Sequence, residues 1–161
     1  MPIVISQVDF ANPRDVQAVV DLVDAYAQHE MGGGEPLAPE VRQQLAQRYA
    51  AHPGALAWLA WSEGEPAGVA TCLWAFGTFA GRPRVNILDL SVGEGHRNQG
   101  IGRKLLTAVE AYARAQGCHA LTLEVRADNA RGRHLYTSFG FEGPTDWSPP
   151  ETMAFFKKVL D

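Results

Sequence analysis

Hydrophobic and polar positions along the chain follow two periods in turn. Residues 3–8 alternate, as a half-buried strand would. Asn12-Pro13-Arg14-Asp15 then has the form of a helix start: Asn as N-cap, Pro at the first helical position, and an acid in the first turn. Val16, Val19, Val20, Val23 and Ala27 recur at helical spacing, which predicts a helix to about His29. The run Met31-Gly32-Gly33-Gly34 predicts a loop, because consecutive glycines favour neither helix nor strand. A second helix is expected over residues 39–51. Two apolar runs, 55–62 and 67–76, flank Glu63-Gly64-Glu65-Pro66 and read as a hairpin. Residues 77–83 form a further turn before a strand over 85–92. Residues 101–116 carry Ile101, Leu105, Ala108, Val109 and Tyr112 on one helical face, and Gly117 ends that helix. A strand over 121–125, a short helix over 129–139 and, beyond the proline-rich link 144–150, a last strand over 152–159 complete the chain.

The order β-α-α-β-β-β-α-β-α-β, without internal repeat or evident domain boundary, predicts one α/β domain over residues 1–161, a mixed sheet flanked by helices. Composition changes this picture little. The 161 residues are 46% apolar and 20% charged, as in a soluble globular protein. Gly, Pro or a charge interrupts each apolar run, so no membrane partner is expected. The N-terminus lacks the basic region and cleavage site of a signal peptide, and a cytoplasmic location is the expectation. Cys72 and Cys118 lie far apart without metal-ligand spacing and read as buried, inert thiols. A net charge of −4 argues against a nucleic-acid partner, which would need a basic face.

The chemistry is concentrated where the third long strand runs into a helix, Leu90-Ser91-Val92-Gly93-Glu94-Gly95-His96-Arg97-Asn98-Gln99-Gly100-Ile101-Gly102. Glycines there let the backbone approach a ligand, and the unpaired N–H groups and helix dipole favour phosphate oxygens. Arg97, Arg103 and Lys104 add positive charge. A Walker loop is excluded, because Ile101 and Gly102 stand where Lys and Ser or Thr would follow Gly100. A dinucleotide fingerprint is excluded by Leu105, which stands where a third glycine is needed.

Arg97-Asn98-Gln99-Gly100-Ile101-Gly102, preceded by Asp89-Leu90-Ser91-Val92, resembles the coenzyme A signature of the GNAT N-acetyltransferase superfamily. A second block is similar to that family's other hallmark: Leu123-Glu124-Val125-Arg126-Ala127-Asp128-Asn129 through Leu135-Tyr136 to Phe139-Gly140-Phe141. The resemblance spans residues 55–159. It implies the GNAT fold, acetyl-CoA as cosubstrate, no metal, and transfer of an acetyl group to a primary amine such as a small amine, amino acid or polyamine.

It also implies roles for single residues. The sheet would splay after the strand ending at Val92, and Leu90 and Val92 would bind the acyl-pantetheine through their backbones. The Leu90 N–H would polarise the thioester. Asn98, Gln99, Gly100, Ile101, Gly102 and Arg103 would wrap the pyrophosphate beside Arg97. Asn129 would touch the cofactor, cap its helix, or both. Arg131 and Arg133 are secondary candidates for a nucleotide phosphate. Tyr136 would protonate the departing thiolate, since a thiol of pKa about 8.5 and a phenol of about 10 are nearly balanced.

The base that deprotonates the amine is open. Polyamine-acetylating relatives carry Glu-Asp where this chain has Leu88-Asp89, so Asp89 is a candidate base, orienting group or structural residue; ordered water is another route. His96 reads as structural. The acids Asp21, Asp24, Glu30 and Glu35 could steer a cationic acceptor, and Trp74, Phe76 and Phe79 could line its site or belong to the core. A non-catalytic acyl-CoA-binding module and an acceptor on a protein lysine or N-terminus are the competing readings. Dimers are common in the superfamily, so a homodimer is a further possible partner.

Overall fold

A computed structural model describes residues 2–145 and 152–161. Its elements run β1 (Ile3–Gln7), α1 (Pro13–Gln28), α2 (Pro39–Ala51), β2 (Ala55–Ser62), β3 (Glu65–Gly77), β4 (Arg82–Val92), α3 (Ile101–Ala115), β5 (Ala120–Arg126), α4 (Ala130–Phe139) and β6 (Met153–Val159). Single 3-10 turns at Glu30–Gly32 and Glu94–His96 interrupt the two glycine-rich loops. The first was expected to be irregular loop. Gly32 lets it fold back onto α1, for a Cβ there would stand 2.0 Å from the Tyr26 carbonyl oxygen. Part of the expected proline-rich link, 146–150, lies outside the described residues.

The six strands lie in the order β1-β2-β3-β4-β5-β6, all antiparallel except β4 against β5. One face packs on α3, through Ile101, Leu105, Leu106 and Val109, with Tyr136 of α4 beside them. Ala18, Val19 and Leu22 of α1 cover Ala57, Leu59 and Val69 on the other. Burial on both sides explains why β2 and β3 read as almost unbroken apolar runs. Although α2 has no buried residue, it is tethered by Tyr49. Its hydroxyl lies 2.6 Å from the Leu56 and Cys72 carbonyls and accepts from the Cys72 amide at 3.0 Å. Both cysteines are free and buried, and burial pushes both thiols up.

Two irregularities in β4 position the site. Its parallel pairing with β5 covers only Val85, Ile87 and the residue between, opposite Leu121–Leu123. Beyond Ile87 the strands part, leaving the β5-facing edge of β4 with no strand partner. At the same point the register against β3 shifts: Cys72 faces Ile87 but Thr71 faces Asp89, so Leu88 is an extra residue in β4. A bulge of this kind inverts the alternation of side chains. Val85 and Ile87, then Leu90 and Val92, all join the α3-side core, whereas Asp89 lands with Thr71 on the α1 side.

Candidate active site

The turn before α3 has the form of an anion cradle. Asn98 and Gly100 adopt left-handed backbone, with φ of 63° and 73°. Gly100 is the N-cap of α3 and supplies no side-chain cap. Among the described residues no hydrogen-bond acceptor is found for the amides from Gly100 to Arg103, while Lys104 closes the first helical bond to the Gly100 carbonyl at 3.0 Å. A nest of this kind presents several N–H dipoles and the positive helix end to one ligand.

From the turn a cavity of about 370 Å³ leads inward between β4, α4 and the end of α1. Of the residues singled out in the sequence, Leu90, Val92, Arg97, Gly102, Asn129, Arg131 and Tyr136 line it. Asn98, Gln99 and Gly100 are exposed on the turn itself. Ile101 is fully buried in the core, so only its amide can reach a ligand. The Arg103 side chain turns to α4, donating to the Ser138 hydroxyl at 2.5 Å and lying 5.8 Å from the Phe139 ring centre. Asn129 caps α4, its Oδ1 accepting from the Gly132 amide at 2.9 Å, and still borders the cavity. Arg133 donates to the Ala127 carbonyl at 2.7 Å and does not line the cavity.

A second cavity, about 110 Å³, occupies the wedge between β4 and β5. Tyr26, Met31, Leu90, Asn129 and Tyr136 border both spaces. Asp89 and Glu124 line only the wedge, one from each parting strand. The Thr71 hydroxyl donates to Asp89 at 2.5 Å, a charge-assisted bond that fixes the carboxylate. Tyr136 is 8% exposed and meets Phe141 edge-to-face at 5.8 Å. Burial, then the neighbouring Tyr26 and Asp89, push its phenol well above the usual tyrosine range. Burial, then Asp89, also raise the Tyr26 phenol, with Arg126 opposing. Both phenols therefore stay protonated at neutral pH.

Two site residues were missed in the sequence, Tyr26 and Glu124. Tyr26 offered one sign, an aromatic in the last turn of a helix entering a triple-glycine loop. Other expectations find different places. Asp21 and Asp24 are not free to steer a ligand: Arg42 bridges both, Asp24 at 2.8 Å, and Asp24 also accepts from the Leu37 amide at 2.8 Å. They join α1 to α2. Glu30 alone of those acids borders the larger cavity. Trp74 packs edge-to-face on Tyr112 at 6.5 Å, and neither it, Phe76 nor Phe79 lines either cavity.

Comparison with known proteins bears on the family and the fold. The streptothricin acetyltransferase of Streptomyces lavendulae is 38% identical over 80 residues, 50% of this chain and 40% of that protein. N-acetyltransferase 8B of Homo sapiens is 30% identical over 98 residues, 61% of this chain and 43% of that protein. The matched stretches thus span about two-fifths of these relatives. An acetyltransferase structure from Salmonella typhimurium with acetyl-CoA covers 100% of this chain and 95% of its own, with a TM-score of 0.75 at 20% identity. The NatC complex bound to Gag peptide and CoA contains a chain with a TM-score of 0.73 at 22% identity, covering 100% of both. At such identities these structures show a shared fold. The sequence profile of the Acetyltransferase (GNAT) family matches residues 19–141, and the chain belongs to that family.

Proposed function

We propose that the protein is an acetyl-CoA-dependent N-acetyltransferase that transfers the acetyl group directly to a primary amine. One observation carries this reading: the cavity leading from the phosphate-type turn and the wedge holding two carboxylates meet at Tyr136. The amides of residues 98–103, with Arg97, would hold the pyrophosphate. The unpartnered edge of β4 at Leu90 and Val92 would take the pantetheine arm as an added strand takes its neighbour.

The chemistry needs two proton movements. An alkylammonium of pKa about 10 must lose a proton before its nitrogen can attack. Asp89 and Glu124 are the carboxylates at the wedge, and either can accept that proton directly or through water. The Leu90 amide would hold the oxyanion that develops as the nitrogen adds to the acetyl carbon. When the carbon–sulfur bond breaks, Tyr136 would give its proton to the thiolate. Solvent then returns a proton to the tyrosinate.

A panel of amines incubated with acetyl-CoA, followed by release of free thiol, tests the proposal. Amine-dependent thiol release with a matching acetylated product is the expected result. Firm coenzyme A binding without thiol release for any amine, peptide or protein acceptor would instead identify a binding module.

A further inference from the structure

The wedge opens onto a part of the sheet that no helix among the described residues covers. On the α1 side of β4, β5 and β6, pairing registers align Asn86, Thr122 and Lys157 in one row, and Glu124 with Phe155 in the next. Met153 and Phe155 are 53% and 47% exposed there, although both are large and apolar. Leu88 and Met153 also line the wedge, so this shelf is continuous with the site. Arg84 lies beneath it on β4, with its guanidinium carbon 5.8 Å from the Phe155 ring centre. Among the described residues Arg84 has no salt bridge or hydrogen bond, and its Nε is buried without a partner. A buried guanidinium N–H left without an acceptor costs free energy, which a bound carboxylate oxygen would recover.

Resting on the acetyltransferase reading, we propose that Arg84 and Phe155 form an acceptor subsite for a carboxylate. The acceptor would carry its amine at Asp89 and Glu124, an apolar body over Met153 and Phe155, and a carboxylate at Arg84. Phe155 pairs with Glu124 across the sheet and its ring lies beside Arg84, so the acceptor would reach from Glu124 over the ring to the guanidinium. Such a molecule is an ω-amino acid or a short peptide with an apolar residue, rather than a polyamine. The two acids at one end and Arg84 with exposed Lys157 at the other allow only one orientation.

Matched acceptors test this directly: 6-aminohexanoate against 6-aminohexanamide, alanyl-phenylalanine against its C-terminal amide, and spermidine and benzylamine as acceptors without a carboxylate. The free acids should have a kcat/KM about tenfold or more above their amides, expressed in KM. Arg84→Gln should abolish that preference by lowering kcat/KM for the free acids far more than for the amides, and Arg84→Lys should restore part of it. Equal use of acid and amide overturns the proposal, as does exclusive use of spermidine or benzylamine. So does an Arg84→Gln variant that loses activity on acids and amides alike. A solution dimer dissolved by Phe155→Asp would show a second copy on the shelf and also overturns it. Absence of thiol release with every amine would instead refute the acetyltransferase reading itself, and this subsite with it.

Discussion

Tyr136 sits where the two cavities join, buried yet bordering both, and its neighbours raise the cost of losing its proton. That environment keeps the proton in place but makes the phenol a weaker acid than the near balance of a free phenol and thiol implies, so the transfer requires a thiolate whose own pKa is raised by the same burial. Tyr136→Phe should lower kcat by about a hundredfold or more, the usual worth of a positioned general acid, with coenzyme A affinity unchanged by calorimetry. Loss of affinity alone would mark it as a packing residue. The two carboxylates separate in the same assay. Glu124→Gln and Asp89→Asn should each be compared across pH, because losing the base removes the acidic limb of the kcat/KM profile, whereas losing an orienting group lowers the whole curve. Thr71 holds Asp89 in place, which favours an orienting role for Asp89 and leaves Glu124 the freer base.

The loop between α1 and α2 forms one wall of both cavities through Met31, and it depends on a contact that only glycine permits. A methyl group at Gly32 would collide with the backbone of Tyr26, which cannot move without unwinding the last turn of α1. Gly32→Ala should therefore raise KM for the amine by several-fold while the coenzyme A dissociation constant stays near its original value. Equal loss at both substrates would mean that the loop serves the whole site. Element positions were largely legible in the sequence, since caps, glycines and periodicity act locally; α2 falls on the expected residues, 39–51. The bulge at Leu88 was not legible. It arises from mismatched register between β3 and β4, a relation between segments that no local pattern in β4 encodes.

Far from the site, a buried imidazole has one nitrogen without a partner among the described residues. His119 is 8% exposed, its Nε2 has no hydrogen bond, and it presses against Gly77. Burial, with Arg82, Lys157 and Arg84 nearby, pulls its pKa below the ordinary histidine range, and Asp161 only partly opposes them. The unfolded chain therefore binds this proton more readily than the folded one. Stability should be complete above the unfolded pKa of about 6.5 and decline as pH falls from there toward the lower folded value. Thermal unfolding measured between pH 7.5 and 5.5 should show a falling Tm, and His119→Leu should flatten that slope. An unchanged Tm across this range in the parent protein would contradict the assignment.

The order of helices and strands and the glycine turn were readable from residue types and spacing, because capping, left-handed backbone and periodicity depend on near neighbours, whereas the acid role proposed for Tyr136 came from the family resemblance. Asn129 as the cap of α4 belongs with the former. Which acids face the wedge depended on contacts across the fold. Asp21 and Asp24 are held by Arg42 from another helix, while Glu124 and Tyr26 reach the wedge only because β4 and β5 part beyond Ile87. Charge and aromatic character are properties of a residue, but the partner that neutralises or exposes them comes from elsewhere in the chain.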